Sequence, residues 1–319
     1  MKYYVGLDLG GTKTDVLVGD ENGKLLSRYL CPTGHVDNYT DFLINCIEKA
    51  VNQSNLKLID AHAFAICVPW VVNEEGENNN ETNLRKRLSN DNIIARSDIY
   101  GGWRAETNQL PSGVLSAGTG AGLAFFTENG KAVIIGESVL PEFQSGSALG
   151  FRGFGRGLSS ALGYYEPTLL SESVCEFAET SRIEEACKKT NYGLDRDALP
   201  YRLFSPHVLA AAQKNDKVAI ELINDIGAGL ATHIRAGIRA LGLENQELPF
   251  VLSGGILKGQ NNLLEKVIRN RLADITNLNF IRAECEPVFG ALMLAYDKYG
   301  VSGTLNVTDE DLREFNLYR

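Results

Sequence analysis

Two stretches of this chain, far apart in the sequence, repeat one pattern of short β-rich runs separated by glycine turns. The runs are residues 3–8, 14–20 and 24–30 in the first copy and residues 114–117, 123–127 and 131–135 in the second. In each copy a glycine-rich turn follows the first run, which predicts successive β-hairpins. A supersecondary pattern that occurs twice indicates an internal duplication. The sequence therefore predicts two α/β domains that face each other across a cleft.

Each copy continues with alternating helix and strand patterns, as α/β proteins do. The predicted helices are 39–53, a helical region from about 159 to 240 whose longest member is 216–241, then 261–273 and 287–298; the predicted strands are 62–68, 93–97, 250–253 and 279–281. We expect an N-terminal domain of residues 1–112, completed by the C-terminal helical segment 287–319, and a C-terminal domain of residues 113–286. The length of 319 residues is sufficient for two such domains.

The composition is that of a globular protein and argues against two classes of partner. Hydrophobic residues make up 44% of the chain, charged residues 22%, and the formal net charge is −9, whereas nucleic-acid phosphates require basic surface. No apolar run has the length of a membrane span and no signal-type apolar segment stands at the N-terminus, so we expect a cytoplasmic protein with no membrane partner.

The cysteines lack close pairs, which favours reduced thiols over a disulfide framework or a zinc site. They are Cys31, Cys46, Cys67, Cys175, Cys187 and Cys285.

The segment DLGGTKT, residues 8–14, directly follows the first predicted strand. Glycine allows backbone amides to approach phosphate oxygens, and successive amides form a nest that binds anions. Asp8, at the end of the strand, is placed to hold Mg²⁺ through a water molecule. A hairpin turn beside an ordinary aspartate explains this segment equally well when it is taken alone.

Two later glycine motifs occupy related positions. SAGTGAG, residues 116–122, is the first turn of the second copy, and it is not a P-loop because no Gly-Lys-Ser follows it. Opposite the first turn it would clamp a polyphosphate from the other side. VLSGGIL, residues 251–257, is an apolar strand that ends in a glycine pair, against which a flat adenine or ribose could lie. A tight strand-to-helix turn is the alternative interpretation of this third motif.

The three motifs, in this order, resemble the phosphate-1, phosphate-2 and adenosine motifs of the sugar kinase, actin and heat-shock chaperone superfamily. Within it the chain is most similar to the N-acetylglucosamine kinase and BadF/BadG/BcrA/BcrD ATPase family, over nearly its whole length and also at 97–98, 206–220 and 286–295. The resemblance implies two actin-like ATPase (ribonuclease H-like) domains with a nucleotide cleft between them, and ATP with Mg²⁺ as cofactors. The residues it implies for the nucleotide are Gly10, Gly11, Thr12, Lys13, Thr14, Gly118, Thr119, Gly120, Gly254, Gly255 and Leu257.

Asp98 matches the family's catalytic aspartate, which accepts the proton of the sugar hydroxyl that attacks the γ-phosphate. A helix N-cap is the alternative role for this residue. His35, Trp70 and Gln144, together with Asp98, are the candidate contacts of a sugar. Three segments depart from the family pattern. Segment 142–148 lacks the usual acidic residues, segment 69–73 replaces a small glycine- or serine-rich turn, and segment 34–38, after the third strand, has no clear counterpart of the family's asparagine.

The resemblance favours a kinase that transfers the γ-phosphate of ATP to an amino sugar, such as N-acetylglucosamine, glucosamine or N-acetylmuramic acid. It also implies a homodimer. A second hypothesis is an ATPase coupled to a partner, like the activators of acyl-CoA dehydratases; those hold an iron–sulfur cluster between subunits, and Cys175, Cys187 and Cys285 lack their local cysteine pattern. A non-catalytic binding module is the third hypothesis, against which the two phosphate turns and Asp98 argue.

Overall fold

A β-meander followed by two parallel strands forms the first of two sheets. We describe the protein from a computed structural model, which covers residues 1–34, 36–135, 144–189, 200–258, 262–300 and 307–318. The first sheet contains β1 (Tyr3–Leu9), β2 (Lys13–Asp20), β3 (Leu25–Pro32), β4 (Ala63–Cys67) and β5 (Ile93–Arg96), in the order β3-β2-β1-β4-β5. β1, β2 and β3 are antiparallel neighbours, whereas β4 pairs in parallel with β1 and β5 with β4.

The second sheet repeats this topology strand for strand. It contains β6 (Ser112–Ala117), β7 (Ala121–Phe126), β8 (Ala132–Ile135), β9 (Leu248–Ser253) and β10 (Leu278–Arg282), in the order β10-β9-β6-β7-β8. Again the first three strands form an antiparallel meander and the last two run parallel to its first strand. The duplication predicted from the sequence is therefore confirmed.

The helices follow the strands as the α/β pattern predicts. They are α1 (Tyr39–Gln53), α2 (Glu74–Leu88), α3 (Asp98–Arg104), α4 (Gly146–Ala161), α5 (Leu170–Phe177), α6 (Ile183–Lys189), α7 (Ser205–Gln213), α8 (Lys217–Ala240), α9 (Leu263–Arg271), α10 (Pro287–Tyr299) and α11 (Asp309–Glu314). Side-chain caps fix several of the starts: Asn38 caps α1, Asn73 caps α2 and Asp216 caps α8. None of the helices within the described ranges combines the length and apolar character that crossing a bilayer requires.

The helical region of the second half begins earlier than predicted. The sequence favoured a start near residue 159, because the glycine-rich stretch before it disfavours a helix, but α4 already begins at Gly146. The glycines of α4 are needed for packing: a Cβ at Gly150, Gly153 or Gly157 would come within 2.6 Å of atoms of neighbouring segments. Close packing against α5, α7 and the turn before α7 therefore outweighs the low helix propensity.

Two helices cross between the halves. α10 follows the last strand of the second sheet but packs on the first sheet, where Val288 and Leu292 join Tyr4 and Leu17 in one hydrophobic cluster. The approach is close, since a Cβ at Gly6 would lie 2.2 Å from the backbone nitrogen of Leu292. This packing supports the proposed division in which segment 287–319 completes the domain of residues 1–112.

The reciprocal crossing is made by α3, which follows the last strand of the first sheet. Ile99 and Trp103 of α3 join Val114 and Phe126 of the second sheet in a separate cluster, and the rings of Trp103 and Phe126 stack with centroids 4.0 Å apart. The two crossing helices touch each other, so that a Cβ at Gly290 would lie 1.9 Å from the carbonyl oxygen of Gly101. The crossed pair therefore joins the halves beneath the cleft.

Candidate active site

The first glycine turn joins β1 to β2 and is held in a fixed shape. The Gly10 N–H donates to the Lys13 carbonyl at 2.9 Å, and the Thr33 hydroxyl donates to the Gly10 carbonyl at 2.8 Å. The Thr14 side chain is fully buried and shares a 2.9 Å hydrogen bond with the Thr33 hydroxyl. Thr33, the residue directly after β3, therefore supports the turn through these two hydrogen bonds, a contribution that the sequence did not reveal.

The second glycine turn joins β6 to β7 and rests on the start of α4. The Gly118 N–H donates to the Gly120 carbonyl at 2.8 Å, while the N–H groups of Gly146 and Ser147 donate to the carbonyls of Gly118 and Thr119. The turn faces the first one, since a Cβ at Gly11 would lie 3.7 Å from the Cβ of Thr119. The two turns are thus brought into direct opposition.

The third motif lies against the second turn. Gly254 has φ +109°, and a Cβ there would lie 2.1 Å from the carbonyl oxygen of Ala117, so this position requires glycine. A Cβ at Gly118 would be 3.7 Å from the backbone nitrogen of Gly255. The Leu257 side chain, by contrast, is 3% exposed and belongs to the core of the second half.

All three motifs open onto one cavity of about 390 Å³ between the halves. The predicted nucleotide, metal and catalytic residues that line it are Asp8, Gly10, Gly11, Thr12, Lys13, Asp98, Gly118, Thr119, Gly120, Gly254 and Gly255. Thr14 and Leu257 are not among the described lining residues, because their side chains pack inward. The lining also includes residues to which the sequence assigned no nucleotide, metal or catalytic role, among them Pro69, Val72, Ser97, Ile134, Glu286 and Pro287.

Two predicted carboxylates, Asp8 and Asp98, lie at the ends of strands of the first sheet. Asp8 is 6% exposed, and the Cβ position of Gly101 lies 3.6 Å from its Oδ1. Asp98 follows β5 at the start of α3, and Ser97 donates to its Oδ1 at 3.2 Å. Burial raises the pKa of Asp98, although the hydrogen bonds from Ser97 and the backbone oppose the rise. A carboxylate with a raised pKa is a better proton acceptor, which fits general-base chemistry.

Cys67 lies close enough to both carboxylates for their charges to act on its thiol. It stands opposite Asp8 in the parallel pairing of β4 with β1, and its side chain is fully buried. Burial raises the pKa of this thiol well above its ordinary value, and the negative charges of Asp8 and Asp98 raise it further. The thiol is therefore neutral and adds no third negative charge beside the two carboxylates.

The cavity is lined on one side by an ion-pair cluster that sequence reasoning missed. Glu286 is 6% exposed and accepts hydrogen bonds from Lys13 Nζ at 2.7 Å and from Lys258 Nζ at 3.0 Å. The sequence places Glu286 just before Pro287, which predicts only a helix start. Lys13 and Glu286 are 273 positions apart in the sequence, so no local pattern could indicate that they pair.

The predicted sugar contacts other than Asp98 lie elsewhere or remain outside the described residues. Trp70 lines a second cavity of about 280 Å³, where its ring lies 4.9 Å from that of Tyr39 and its Nε1 donates to Asn80 at 3.1 Å. Gln144 packs on Gly229, whose Cβ position is 2.3 Å from the Gln144 side chain, and it does not line the main cavity. His35 lies outside the described residues.

The donor set fits a magnesium ion that is bound mainly by nucleotide phosphates. Mg²⁺ in such sites uses one or two carboxylates and keeps several water ligands. Among the described residues there is no cluster of three or more His, Cys, Asp or Glu side chains that could hold a metal alone. Asp8, buried and facing the cavity, supplies the type of single carboxylate that this arrangement requires.

Two sheets of identical topology, crossed helices and paired glycine turns around an interdomain cavity define the actin-like ATPase fold. The chain belongs to the BadF/BadG/BcrA/BcrD ATPase family, whose sequence model matches residues 5–295.

Individual proteins similar to this chain agree with the family assignment. The N-acetyl-D-glucosamine kinase of Dictyostelium discoideum is 21% identical over 92% of this chain and 97% of its own length. A Chromobacterium violaceum structure assigned as an N-acetylglucosamine kinase superposes with a TM-score of 0.69 at 20% identity, covering 92% of this chain and 99% of that one. A ROK family glucokinase from Streptomyces griseus, solved with glucose and AMPPNP, gives a TM-score of 0.60 at 18% identity, with the same coverage. At these identities the structural likeness establishes the fold.

Proposed function

We propose that this protein is an ATP-dependent kinase that transfers the γ-phosphate to a hydroxyl of an amino sugar, N-acetylglucosamine or a close relative. The observation that carries the proposal is that both glycine turns and both aspartates, Asp8 and Asp98, open onto one cavity. The names of the Dictyostelium and Chromobacterium relatives support an amino sugar as the acceptor.

The glycine turns act on the phosphate donor. The backbone around Gly10 to Lys13 and around Gly118 to Gly120 would bind the phosphates from opposite sides, and the glycine pair 254–255 would receive the nucleoside. Bound Mg²⁺ would neutralise phosphate charge, and Asp8 would hold that ion through water. Positioning and charge stabilisation of this kind supply most of the catalysis in phosphoryl transfer.

Asp98 acts on the acceptor. Its carboxylate would accept the proton of the attacking hydroxyl as the bond between oxygen and phosphorus forms, and its raised pKa favours that transfer. The hydrogen bond from Ser97 orients Oδ1. Closure of the two halves would exclude water, which would otherwise compete with the sugar for the phosphate.

Trp70 remains a proposed sugar contact at the edge of the cleft. The segment that carries it borders both cavities, since Pro69 and Val72 line the main one and Trp70 the second. Trp70 is 39% exposed and is fixed by Asn80 and Tyr39, so an apolar ring is available beside amide groups. Such a surface suits a sugar, which combines apolar faces with hydroxyls.

The proposal is tested by offering the protein a panel of amino sugars and plain hexoses with ATP and monitoring the release of ADP in a coupled assay. We expect one or a few amino sugars to be phosphorylated by the wild-type protein, and Asp98→Asn to lose at least about two orders of magnitude in kcat. Asp91→Asn, the same change at an exposed site just before β5, is the matched control and should retain activity. Equal turnover by Asp98→Asn and wild type would contradict the role of Asp98.

The same assay distinguishes the partner-coupled ATPase of the second hypothesis. Steady ATP turnover without any phosphorylated sugar would favour that function, and absence of nucleotide binding would contradict both.

We also propose a cytoplasmic homodimer, for which exposed aromatic residues on and after α4 offer contact surface: Phe151, Tyr164 and Tyr165 are 59%, 76% and 52% exposed. Sedimentation analysis tests the dimer, and a monomer at micromolar concentration would contradict it.

A further inference from the structure

Glu286 connects lysines that come from the two sides of the cleft. Its Oε2 accepts from Lys13 Nζ at 2.7 Å, and its Oε1 accepts from Lys258 Nζ at 3.0 Å. Lys13 belongs to the glycine turn of the first sheet, and Lys258 directly follows the third motif on the second. Glu286 itself precedes α10, the helix that crosses between the sheets. The carboxylate therefore lies at the junction of the two halves.

This arrangement places a negative charge next to the cation that a polyphosphate would use. Among the described residues that line the main cavity, Lys13 is the only basic side chain, and Glu286 lines the same cavity. Incoming phosphates would meet an ammonium group that is already paired, and they would be repelled by the carboxylate. Because Glu286 is 6% exposed, solvent screens this repulsion less than it would on the surface.

We propose that Glu286 competes with the nucleotide phosphates for the ammonium group of Lys13 and thereby limits the affinity of the cleft for ATP and ADP. The inference rests on the proposed function, because it takes the phosphates to lie between the glycine turns. Lys258 retains Glu286 through the other carboxylate oxygen when Lys13 moves to the phosphates. The consequence is faster release of ADP, and product release limits turnover in many enzymes.

Removal of the charge at constant size tests the competition. Glu286→Gln should lower the dissociation constants of ADP and ATP about tenfold in calorimetric titrations with MgCl₂ present, a change of about 1.4 kcal/mol. A merely structural role for Glu286 would weaken binding instead, so the gain in affinity is the diagnostic result. Glu284→Gln, an identical change at an exposed position two residues earlier, should leave both constants unchanged.

Two further variants identify the partner in the competition. In a Lys13→Met background, Glu286→Gln should improve ADP binding by about threefold or less, because the shared ammonium group is gone. Lys258→Met, which leaves Glu286 in place with Lys13 as its remaining lysine partner, should weaken ADP binding about two- to fivefold. This second variant provides a test that does not depend on the folding of Glu286→Gln.

The outcomes separate this inference from the function on which it rests. Unchanged or weaker ADP binding by a folded Glu286→Gln protein, an undiminished gain in the Lys13→Met background, or unchanged or tighter binding by Lys258→Met would each overturn the competition. If the wild-type protein phosphorylates a sugar in those experiments, the kinase function stands without it. If the wild-type protein binds no nucleotide, the proposed function itself is contradicted.

Discussion

The contact between the crossed helices α3 and α10 makes Gly290 a sensitive position. A Cβ at Gly290 would lie 1.9 Å from the carbonyl oxygen of Gly101 and 2.5 Å from the nitrogen of Ala105, and real Cβ contacts essentially never fall below 3.0 Å. Gly290→Ala therefore requires the helices to separate by about an ångström. Both obstructing atoms are backbone, so no side chain can rotate away.

The cost can be set against the gain in helix propensity. Overpacking of this kind costs about 3 kcal/mol at the upper end of its usual range, whereas alanine in place of a helical glycine returns roughly 1 kcal/mol. We expect Gly290→Ala to lower the free energy of unfolding by about 2 kcal/mol, measured by urea denaturation. Because α3 carries Asp98 at its start, kcat should fall as well.

Gly155→Ala is the matched control. Gly155 is also a helical glycine, in α4, but no atom lies within 4 Å of its Cβ position. This variant should be more stable than wild type by roughly 0.5–1 kcal/mol, since only the propensity changes. If Gly290→Ala were as stable as Gly155→Ala, the close crossing of α3 and α10 would be refuted.

Three further predictions concern the site. Burial raises the pKa of Asp98 in the folded protein, so protonated Asp98 contributes stability below about pH 3.9, and this contribution is lost as the pH rises through the higher folded-state pKa. Asp98→Asn should therefore be more stable to urea than wild type at pH 7 and equally stable near pH 3.5. The same pKa predicts that kcat/KM for the sugar falls as the pH drops through the raised value, and a profile flat down to the ordinary aspartate range would contradict it. Trp70→Ala should raise the KM of the sugar about two- to tenfold with the KM of ATP unchanged, and an unaltered sugar KM would exclude Trp70 from the acceptor site.

Local patterns in the sequence were sufficient for the framework of the fold. The meanders, the helix Tyr39–Gln53 and the glycine turns depend on short-range propensities, and the structure confirms them with only small shifts of the boundaries. The turn residues around Gly10 and Gly118 could be assigned to one cavity because two equivalent turns in duplicated domains face each other. Asp98 was assigned through its resemblance to the family's catalytic aspartate, and the structure places it just after β5, a strand of the same sheet as Asp8.

The remaining features depend on contacts between distant segments. Most of α4 was not predicted because its glycines lower helix propensity, and the contacts that favour them involve Leu170 and Val208 from other helices. The crossing of α3 onto the second sheet cannot be read from its own seven residues. The cluster of Glu286 with Lys13 and Lys258 joins three segments, and neither spacing nor composition predicts that pairing.

The most direct test of the kinase assignment is the balance between phosphorylated sugar and ADP. The wild-type protein would be incubated with ATP, Mg²⁺ and N-acetylglucosamine or another amino sugar that it accepts, and both products would be quantified by phosphorus NMR. With Asp98 directing the sugar hydroxyl to the γ-phosphate in a closed cleft, each ADP should be matched by one sugar phosphate. ADP that accumulates with free phosphate, and without sugar phosphate for any amino sugar tested, would contradict the assignment.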